Sequence, residues 1–214
     1  MPFGKPFRDI WNSDELVSSF DSSCWIPSNF RGVDNCWTHT DQAPDKKGFT
    51  CVQGFVSLTE NKERTFVCYE GSHLLHEQYM ADRDISGSKN WEKIDPEFLR
   101  SISDTKRVLH VKAGSMVLWD SRTFHQNQYG RVGEERIVQY VSMLPKSDPK
   151  NTLKMAEKRK KYFQDRRTTS HWAYPIIVNG KQPRTYGDKG LVINYADLVE
   201  PDLAGLEEGI QKLI

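Results

Sequence analysis

The sequence predicts a mainly β fold with flanking helices, arranged as a sandwich or a barrel. Short segments with the alternating pattern of β-strands recur along the chain, and turn signals such as "TENKE", "KAGS" and "YGRVGEE" separate them. Regularly spaced short strands with such turns are typical of sandwiches and barrels. A chain of 214 residues is also long enough for one continuous hydrophobic core. We therefore expect a single domain spanning residues 1–214.

The predicted strands follow the hydrophobic pattern along the chain. The stretch "TCVQGFVSLT", residues 50–59, carries apolar side chains on both faces of its alternation, which predicts a strand buried on both sides. Five further strands are predicted, at residues 64–70, 106–112, 115–120, 122–128 and 136–144. The charged region 85–103 lacks a clear period, so we expect an irregular insertion loop there.

Three helices are predicted from weaker signals. They lie in "SDELVSSF" (residues 13–20), in "SHLLHEQYMADRD" (residues 72–84) and in the long polar stretch "DPKNTLKMAEKRKKYFQDRR" (residues 148–167). We expect the core of the domain at about residues 36–146, followed by a basic helix and tail over residues 147–214. The basic helix has two interpretations: a solvated helix face, or a surface that contacts phosphates.

The composition has the balance of an ordinary globular protein. Charged residues make up 28% of the chain and the formal net charge is +1, so no overall field favours nucleic acid or a membrane. No signal peptide pattern and no apolar run long enough for a membrane span is present, so we expect a cytoplasmic protein. The four cysteines stand singly, and we expect reduced, mostly buried thiols. The oligomeric state is not encoded in any pattern that we recognise.

The stretch "NCWTHTDQAP" contains a candidate metal-binding pair. His39 and Asp41 stand two residues apart, so their side chains point the same way if the strand continues through them. An oxygen-activating iron(II) centre commonly uses two histidines and one carboxylate on one face of the ion. Of the remaining histidines, His125 lies on a predicted strand directly after a tight turn, which suits an inward-facing ligand. We therefore predict that His39, Asp41 and His125 bind one metal ion.

Two further polar residues are candidates for the same site. A 2-oxoglutarate co-substrate would need a fixed cation for its distal carboxylate, and arginine binds carboxylates bidentately. Arg136 opens the next predicted strand and is our candidate, whereas Arg131 lies in a glycine-containing turn and should be solvated. Gln53 is either a polar residue satisfied within a wall of the fold or part of the pocket lining, and we include it among the cofactor-binding candidates.

These stretches together resemble the phytanoyl-CoA dioxygenase family of iron(II)- and 2-oxoglutarate-dependent oxygenases. The matching segments are "WTHTDQ", "CVQGFVSLTEN" with "FVCYEGSH", "AGSMVLWDSRTFHQNQ" and "ERIVQYVSMLPK", in the family's order over about residues 37–146. The resemblance implies a double-stranded β-helix, the cupin-like jelly-roll barrel. It also implies that His39, Asp41 and His125 are the catalytic iron ligands and that Arg136 anchors 2-oxoglutarate.

The resemblance implies further properties of the site. Asn127, two residues after His125, would be a second polar contact to 2-oxoglutarate. Related halogenases lack the metal-binding carboxylate, so Asp41 favours hydroxylation. The implied reaction uses O2, with ascorbate as a supporting reductant, to hydroxylate a small-molecule substrate. The chain ends in "QKLI", which is not a peroxisomal signal, so the family's acyl-CoA substrate is not carried over.

Two alternatives remain open from the sequence. A cupin-like metalloprotein could use the same ligands for zinc or manganese and catalyse an isomerisation or a hydrolysis. A non-catalytic module could bind nucleic acid or a partner through the basic helix, although the intact ligand set argues against this alternative.

Overall fold

The computed structural model describes residues 2–131, 133–182 and 192–214. The chain folds into two compact units. The central unit is Ser23–Gln139, and the terminal unit combines Met1–Ser22 with Tyr140–Ile214. The single domain expected from the sequence stays a prediction.

The secondary-structure elements follow one another in this order. Helix α1 is Lys5–Trp11, and strands β1 to β5 are Leu16–Ser18, Ser23–Ile26, His39–Thr40, Val52–Ser57 and Phe66–Tyr69. Then come helix α2 (His76–Asp82), strand β6 (Glu92–Lys93), helix α3 (Pro96–Ser101), and strands β7 (Lys106–Val108), β8 (Met116–Asp120), β9 (His125–Asn127) and β10 (Arg136–Pro145). The last elements are helices α4 (Leu153–Gln164) and α5 (Glu207–Leu213). Short 3₁₀ helices occur at Pro2–Gly4, Ser72–Leu74, Ser103–Thr105 and Tyr195–Asp197.

The central unit is built from two antiparallel sheets, which confirms the mainly β prediction. In the first sheet, β10 lies between β2 and β4, and β8 follows β4. In the second sheet, the strand order is β6-β3-β9-β5-β7. All six residues of β4 are buried, as predicted for a strand covered on both faces. The strand predicted at residues 122–128 is shorter in the structure, because residues before His125 form a turn.

A hydrophobic cluster beside the second sheet fixes the position of β9. Phe124, directly before β9, is fully buried in this cluster, which also contains Tyr69, Tyr79, Met80, Ile94 and Leu99. Its backbone N–H donates to the Ser72 hydroxyl at 2.8 Å. Helices α2 and α3 contribute residues to the cluster, so the region around α3 is part of the core rather than an insertion. The cluster therefore holds the residue next to His125.

The terminal unit contains the predicted basic helix, α4. Thr152 is its N-cap residue, because its side chain accepts a hydrogen bond from the Met155 N–H. Arg159 is buried and donates to the Ala173 carbonyl and to Asn151 Oδ1. One cation of the basic helix is thus held by contacts within this unit. None of the helices in the described residues is long and apolar enough to cross a membrane.

Three expectations from the sequence are wrong. Residues 16–18 form strand β1 instead of a helix, because all three are buried and pair with the second half of β10. The region 85–103 is not irregular throughout: it contains β6 and helix α3, which Asp95 caps by accepting from the Glu97 N–H. The four cysteines are free, but only Cys51 is buried and Cys36 is exposed, because Cys36 lies in the loop that precedes β3.

Candidate metal centre

The structure brings His39, Asp41 and His125 together. His39 on β3 and His125 on β9 are direct partners in the antiparallel register, so their side chains share one face of the sheet. Asp41 comes directly after the end of β3, and its backbone N–H donates to the Ser121 carbonyl at 3.0 Å. Its Oδ2 atom lies 3.4 Å from His39 Nε2 and 3.3 Å from His125 Nε2. All three side chains are buried.

This donor set fits a divalent transition metal. The three ligand atoms lie within 4.8 Å of one another. Two ligands at right angles, each about 2.1 Å from an ion, would be about 3 Å apart, close to the two nitrogen–oxygen distances above. Two imidazoles and one carboxylate on one face of an ion leave its other positions open, which is the arrangement of oxygen-activating non-haem iron sites. His39, Asp41 and His125 could therefore hold iron(II).

Backbone carbonyls orient both imidazoles. His39 Nδ1 lies 3.3 Å from the Trp37 carbonyl oxygen, and His125 Nδ1 lies 2.9 Å from the Thr123 carbonyl oxygen. A carbonyl oxygen only accepts, so these contacts suit the neutral tautomer with the proton on Nδ1, in which Nε2 presents its lone pair to a metal. Such hydrogen bonds to backbone carbonyls commonly orient metal-binding histidines. Both histidines thus direct a lone pair to the same point.

The surroundings of His125 favour its neutral form. Burial, and secondly the nearby His39, lower the pKa of His125 below its ordinary value. Hydrogen bonding to Asp41 acts in the opposite direction but does not outweigh them. A neutral imidazole is the form that binds a metal.

Aromatic rings surround the two histidines. The Trp37 and Trp91 rings stack on His39, with centroid distances of 5.0 Å and 5.6 Å. On the other side, Phe66 and Trp119 contact His125, each with a centroid distance of 5.2 Å. Trp37 is 39% exposed and Trp91 is 37% exposed, so neither is a core residue. Sequence reasoning missed Trp91, because this residue belongs to no motif and lies in region 85–103, where an irregular insertion loop is expected.

Arg136 is buried at the start of β10, with 1% of its surface exposed. Its guanidinium carbon lies 5.4 Å from the Phe55 ring centroid, and Nη2 donates to Asn127 Oδ1 at 3.1 Å. Nη1 is buried and has no hydrogen-bond partner among the described residues. A buried charged donor without a partner is costly, and a carboxylate would satisfy it bidentately. Arg131, by contrast, is exposed, as expected.

Gln53 contacts Asp41. Its Nε2 donates to Asp41 Oδ2 at 3.1 Å, and both side chains are buried. This contact favours the first of the two interpretations of Gln53, a polar residue satisfied within the fold. Its role in cofactor binding stays a prediction.

The turn before His125 is braced by an ion pair. Arg122 Nε and Nη2 donate to the two carboxylate oxygens of Asp120 at 3.0 Å and 2.7 Å. A bidentate pair of this kind is geometrically specific. Beside this turn lies a cavity of about 360 Å³, whose lining includes Thr123 and Trp119. Trp119 also contacts His125, with a centroid distance of 5.2 Å.

Comparisons with known proteins place the chain among distant relatives. No family model matches it. A curated relative, "Ava biosynthesis cluster protein O" of Aspergillus versicolor, is 28% identical over 189 residues, which cover 80% of this chain. The match covers 61% of that relative, so this chain corresponds to only part of it.

Solved structures give weaker similarities. HygX from Streptomyces hygroscopicus with iron bound is 17% identical with a TM-score of 0.44, over 67% of this chain and 63% of HygX. The same protein with nickel and 2-oxoglutarate bound has a TM-score of 0.42 at 17% identity, over 67% of this chain and 61% of HygX. EctD from S. alaskensis in its apoform is 13% identical with a TM-score of 0.43, over 66% of this chain and 49% of EctD. At these values the similarity by itself establishes no function.

Proposed function

We propose that this chain is an iron(II)- and 2-oxoglutarate-dependent dioxygenase that hydroxylates a small-molecule substrate. The observation that carries the proposal is the convergence of His39 Nε2, His125 Nε2 and Asp41 Oδ2 at one buried point. When bound, iron(II) and 2-oxoglutarate supply the oxygen-activating chemistry, with O2 consumed and succinate and carbon dioxide released. The protein contributes binding, orientation and electrostatics.

The chain's own residues have distinct parts in this proposal. His39, Asp41 and His125 hold the metal and leave the rest of its coordination sphere to co-substrate and oxygen. Arg136 neutralises the distal carboxylate of 2-oxoglutarate through its free Nη1, and Asn127 fixes the guanidinium through Nη2. Because Arg136 is buried, water competes little for that carboxylate.

The proposal extends to the fold and the family. We propose that the two sheets form the double-stranded β-helix of cupin-like oxygenases, and that the chain is a single catalytic domain similar to the phytanoyl-CoA dioxygenase family. Ascorbate would support turnover by keeping the iron reduced. The proposed location is the cytoplasm.

Succinate formation from 2-oxoglutarate tests the proposal directly. The purified chain is incubated with iron(II), ascorbate and air without prime substrate, and compared with His125→Ala. The matched control is His110→Ala, because His110 is partly exposed and contacts Glu60 instead of the candidate ligands. We expect slow turnover in the wild type and in the control, and none in His125→Ala.

The opposite result would favour another function. If the wild type forms no succinate and its manganese-loaded form does not bind 2-oxoglutarate, the cupin-like alternative with zinc or manganese becomes the better interpretation. The unpartnered Nη1 of Arg136 is the observation that favours the oxygenase over that alternative, because it calls for an acidic co-substrate.

A further inference from the structure

We infer that Gln53 is a positioning residue that orients the Asp41 carboxylate for metal binding. The inference rests on the proposed function, since it assumes that Asp41 is a metal ligand. Its starting point is the bond from Gln53 Nε2 to Asp41 Oδ2 at 3.1 Å. This oxygen is the same atom that lies 3.4 Å from His39 Nε2 and 3.3 Å from His125 Nε2.

Strand pairing does not extend to Asp41. His39 and His125 are held by the ladder between β3 and β9, but β3 ends at Thr40. The Asp41 backbone is tied to Ser121 by its N–H, which does not restrict rotation of the carboxylate. The bond from Gln53, on strand β4, does restrict that rotation. Gln53 therefore orients Asp41, whereas strand pairing orients the two histidines.

The surroundings of Gln53 protect this bond from water. Gln53 pairs with Trp119 in the register between β4 and β8, so the two side chains share one face of the sheet. Trp119 also contacts His125, with a centroid distance of 5.2 Å. Both Gln53 and Trp119 are buried. A hydrogen bond in such a site is stronger than one exposed to solvent.

The residue type also suits the task. An ionised carboxylate only accepts hydrogen bonds, so Gln53 must present its NH2 group to Asp41. The amide is neutral and leaves the negative charge of Asp41 available to a cation. Lysine or arginine at this position would form an ion pair that competes with the metal, and an apolar residue would leave Asp41 Oδ2 without this donor. Glutamine combines orientation with charge neutrality.

The effect on the metal site follows from the contact. Carboxylates bind metal ions through one oxygen or through both. A donor that fixes Asp41 with Oδ2 toward the histidines favours binding through that oxygen. Coordination positions then stay open for the co-substrate and O2.

Metal binding by Gln53→Met tests the inference without requiring turnover. Methionine has a similar length but donates no hydrogen bond. We expect the dissociation constant for Mn²⁺, measured by electron paramagnetic resonance of the free ion, to rise about 10- to 100-fold, the usual effect of losing an outer partner of a metal ligand. The visible absorption of the Co²⁺-loaded protein should also change, because it reports the coordination number.

Ser57→Ala is the matched control. Ser57 lies on β4, is buried on the same face as Gln53, and donates to the Thr59 carbonyl, so its loss perturbs the strand without touching Asp41. We expect Mn²⁺ affinity and the Co²⁺ spectrum to be unchanged in this variant. A second variant, Gln53→Asn, keeps the amide but shortens the side chain, and it should weaken Mn²⁺ binding as Gln53→Met does.

The outcomes separate the inference from the proposed function. Wild-type Mn²⁺ affinity and an unchanged Co²⁺ spectrum in either folded Gln53 variant would overturn the positioning role. If Gln53→Met does not fold, as judged by circular dichroism, Gln53→Asn decides by the same two measurements. Absence of Mn²⁺ binding in the wild type would instead overturn the metal centre itself.

Discussion

Single atoms decide what the candidate centre can bind. The Nδ1 atoms of His39 and His125 each face a carbonyl two residues earlier in the chain, so both Nε2 atoms face Asp41. The same logic applies to Arg136, whose Nη2 is engaged by Asn127 while Nη1 has no partner in the described part of the chain. Free lone pairs and a free donor thus lie on buried groups, where desolvation makes binding of a ligand favourable.

Replacing Arg136 should raise the concentration of 2-oxoglutarate needed for binding. Hydrogen bonds to charged groups contribute about 1.5–3 kcal/mol, so we expect Arg136→Met to increase the dissociation constant by about 10- to 100-fold. Calorimetric titration of the manganese-loaded protein with 2-oxoglutarate measures this change. Arg131→Met is the control, because Arg131 is exposed. Equal affinities in all three proteins would rule out Arg136 as the anchor.

At the level of elements, contacts made by the segment that precedes β10 determine where this strand begins. The Glu134 carboxylate accepts the backbone N–H groups of Lys62, Glu63 and Arg64, with a shortest distance of 2.9 Å. Gly130 has φ of +69°, and a side chain there would lie 2.7 Å from Glu63. Glycine is therefore required at this position. These contacts hold the residues that precede β10. They thereby also hold Arg136, which is the first residue of β10 and the candidate anchor for 2-oxoglutarate.

The Glu134 contacts make stability depend on pH. Burial acts to raise the pKa of Glu134, but the three backbone donors outweigh it and hold the pKa below its ordinary value of 4.5. A carboxyl group with a lowered folded-state pKa contributes stability above its unfolded pKa, and this contribution is lost as pH falls through the folded pKa. We expect Glu134→Gln to lower Tm at about pH 7, and the difference from wild type to shrink below about pH 4.5.

Thermal denaturation from about pH 7 to about pH 3 measures this difference. Glu135→Gln serves as the control, since Glu135 is an exposed neighbour that accepts from Trp25 Nε1. Its effect on Tm at neutral pH should be smaller. A Tm difference for Glu134→Gln that stays constant over the whole range would show that the ionised carboxylate is not the stabilising species.

On the scale of the whole molecule, metal binding and folding should be coupled. His125 lies far along the sequence from His39 and Asp41, so the unfolded chain does not hold all three candidate ligands together. A ligand that binds only the folded state stabilises it by mass action, by about 2.7 kcal/mol at a concentration 100 times Kd. Metal binding therefore stabilises the folded state, and folding brings the metal ligands together.

Addition of Mn²⁺ should accordingly raise Tm of the wild-type protein, and a chelator should reverse the increase. Asp41→Ala should lose this response, because it removes the carboxylate ligand. His110→Ala should retain it, because His110 lies outside the ligand set. A similar rise in Tm for Asp41→Ala would indicate that Mn²⁺ binds elsewhere.

Much of the fold could be predicted from the sequence, because local patterns specify it. The buried strand β4, strand β8 and helix α4 all carry their own periodicity or capping signals. Strand β1 could not be predicted, because its local signals favour a helix and its pairing with β10 overrides them. Helix α3 was missed although the Asp95 cap and the following proline are readable signals.

The sequence by itself determined the residue types of the candidate site and their order along the chain. Only the tertiary structure decided their geometry: that His39 pairs with His125 across two strands, that Gln53 donates to Asp41, and that Trp91 reaches His39. The physical reason is that hydrogen bonds and ring contacts depend on distances between residues far apart in sequence. Those distances are set by strand register and core packing, which no local pattern encodes.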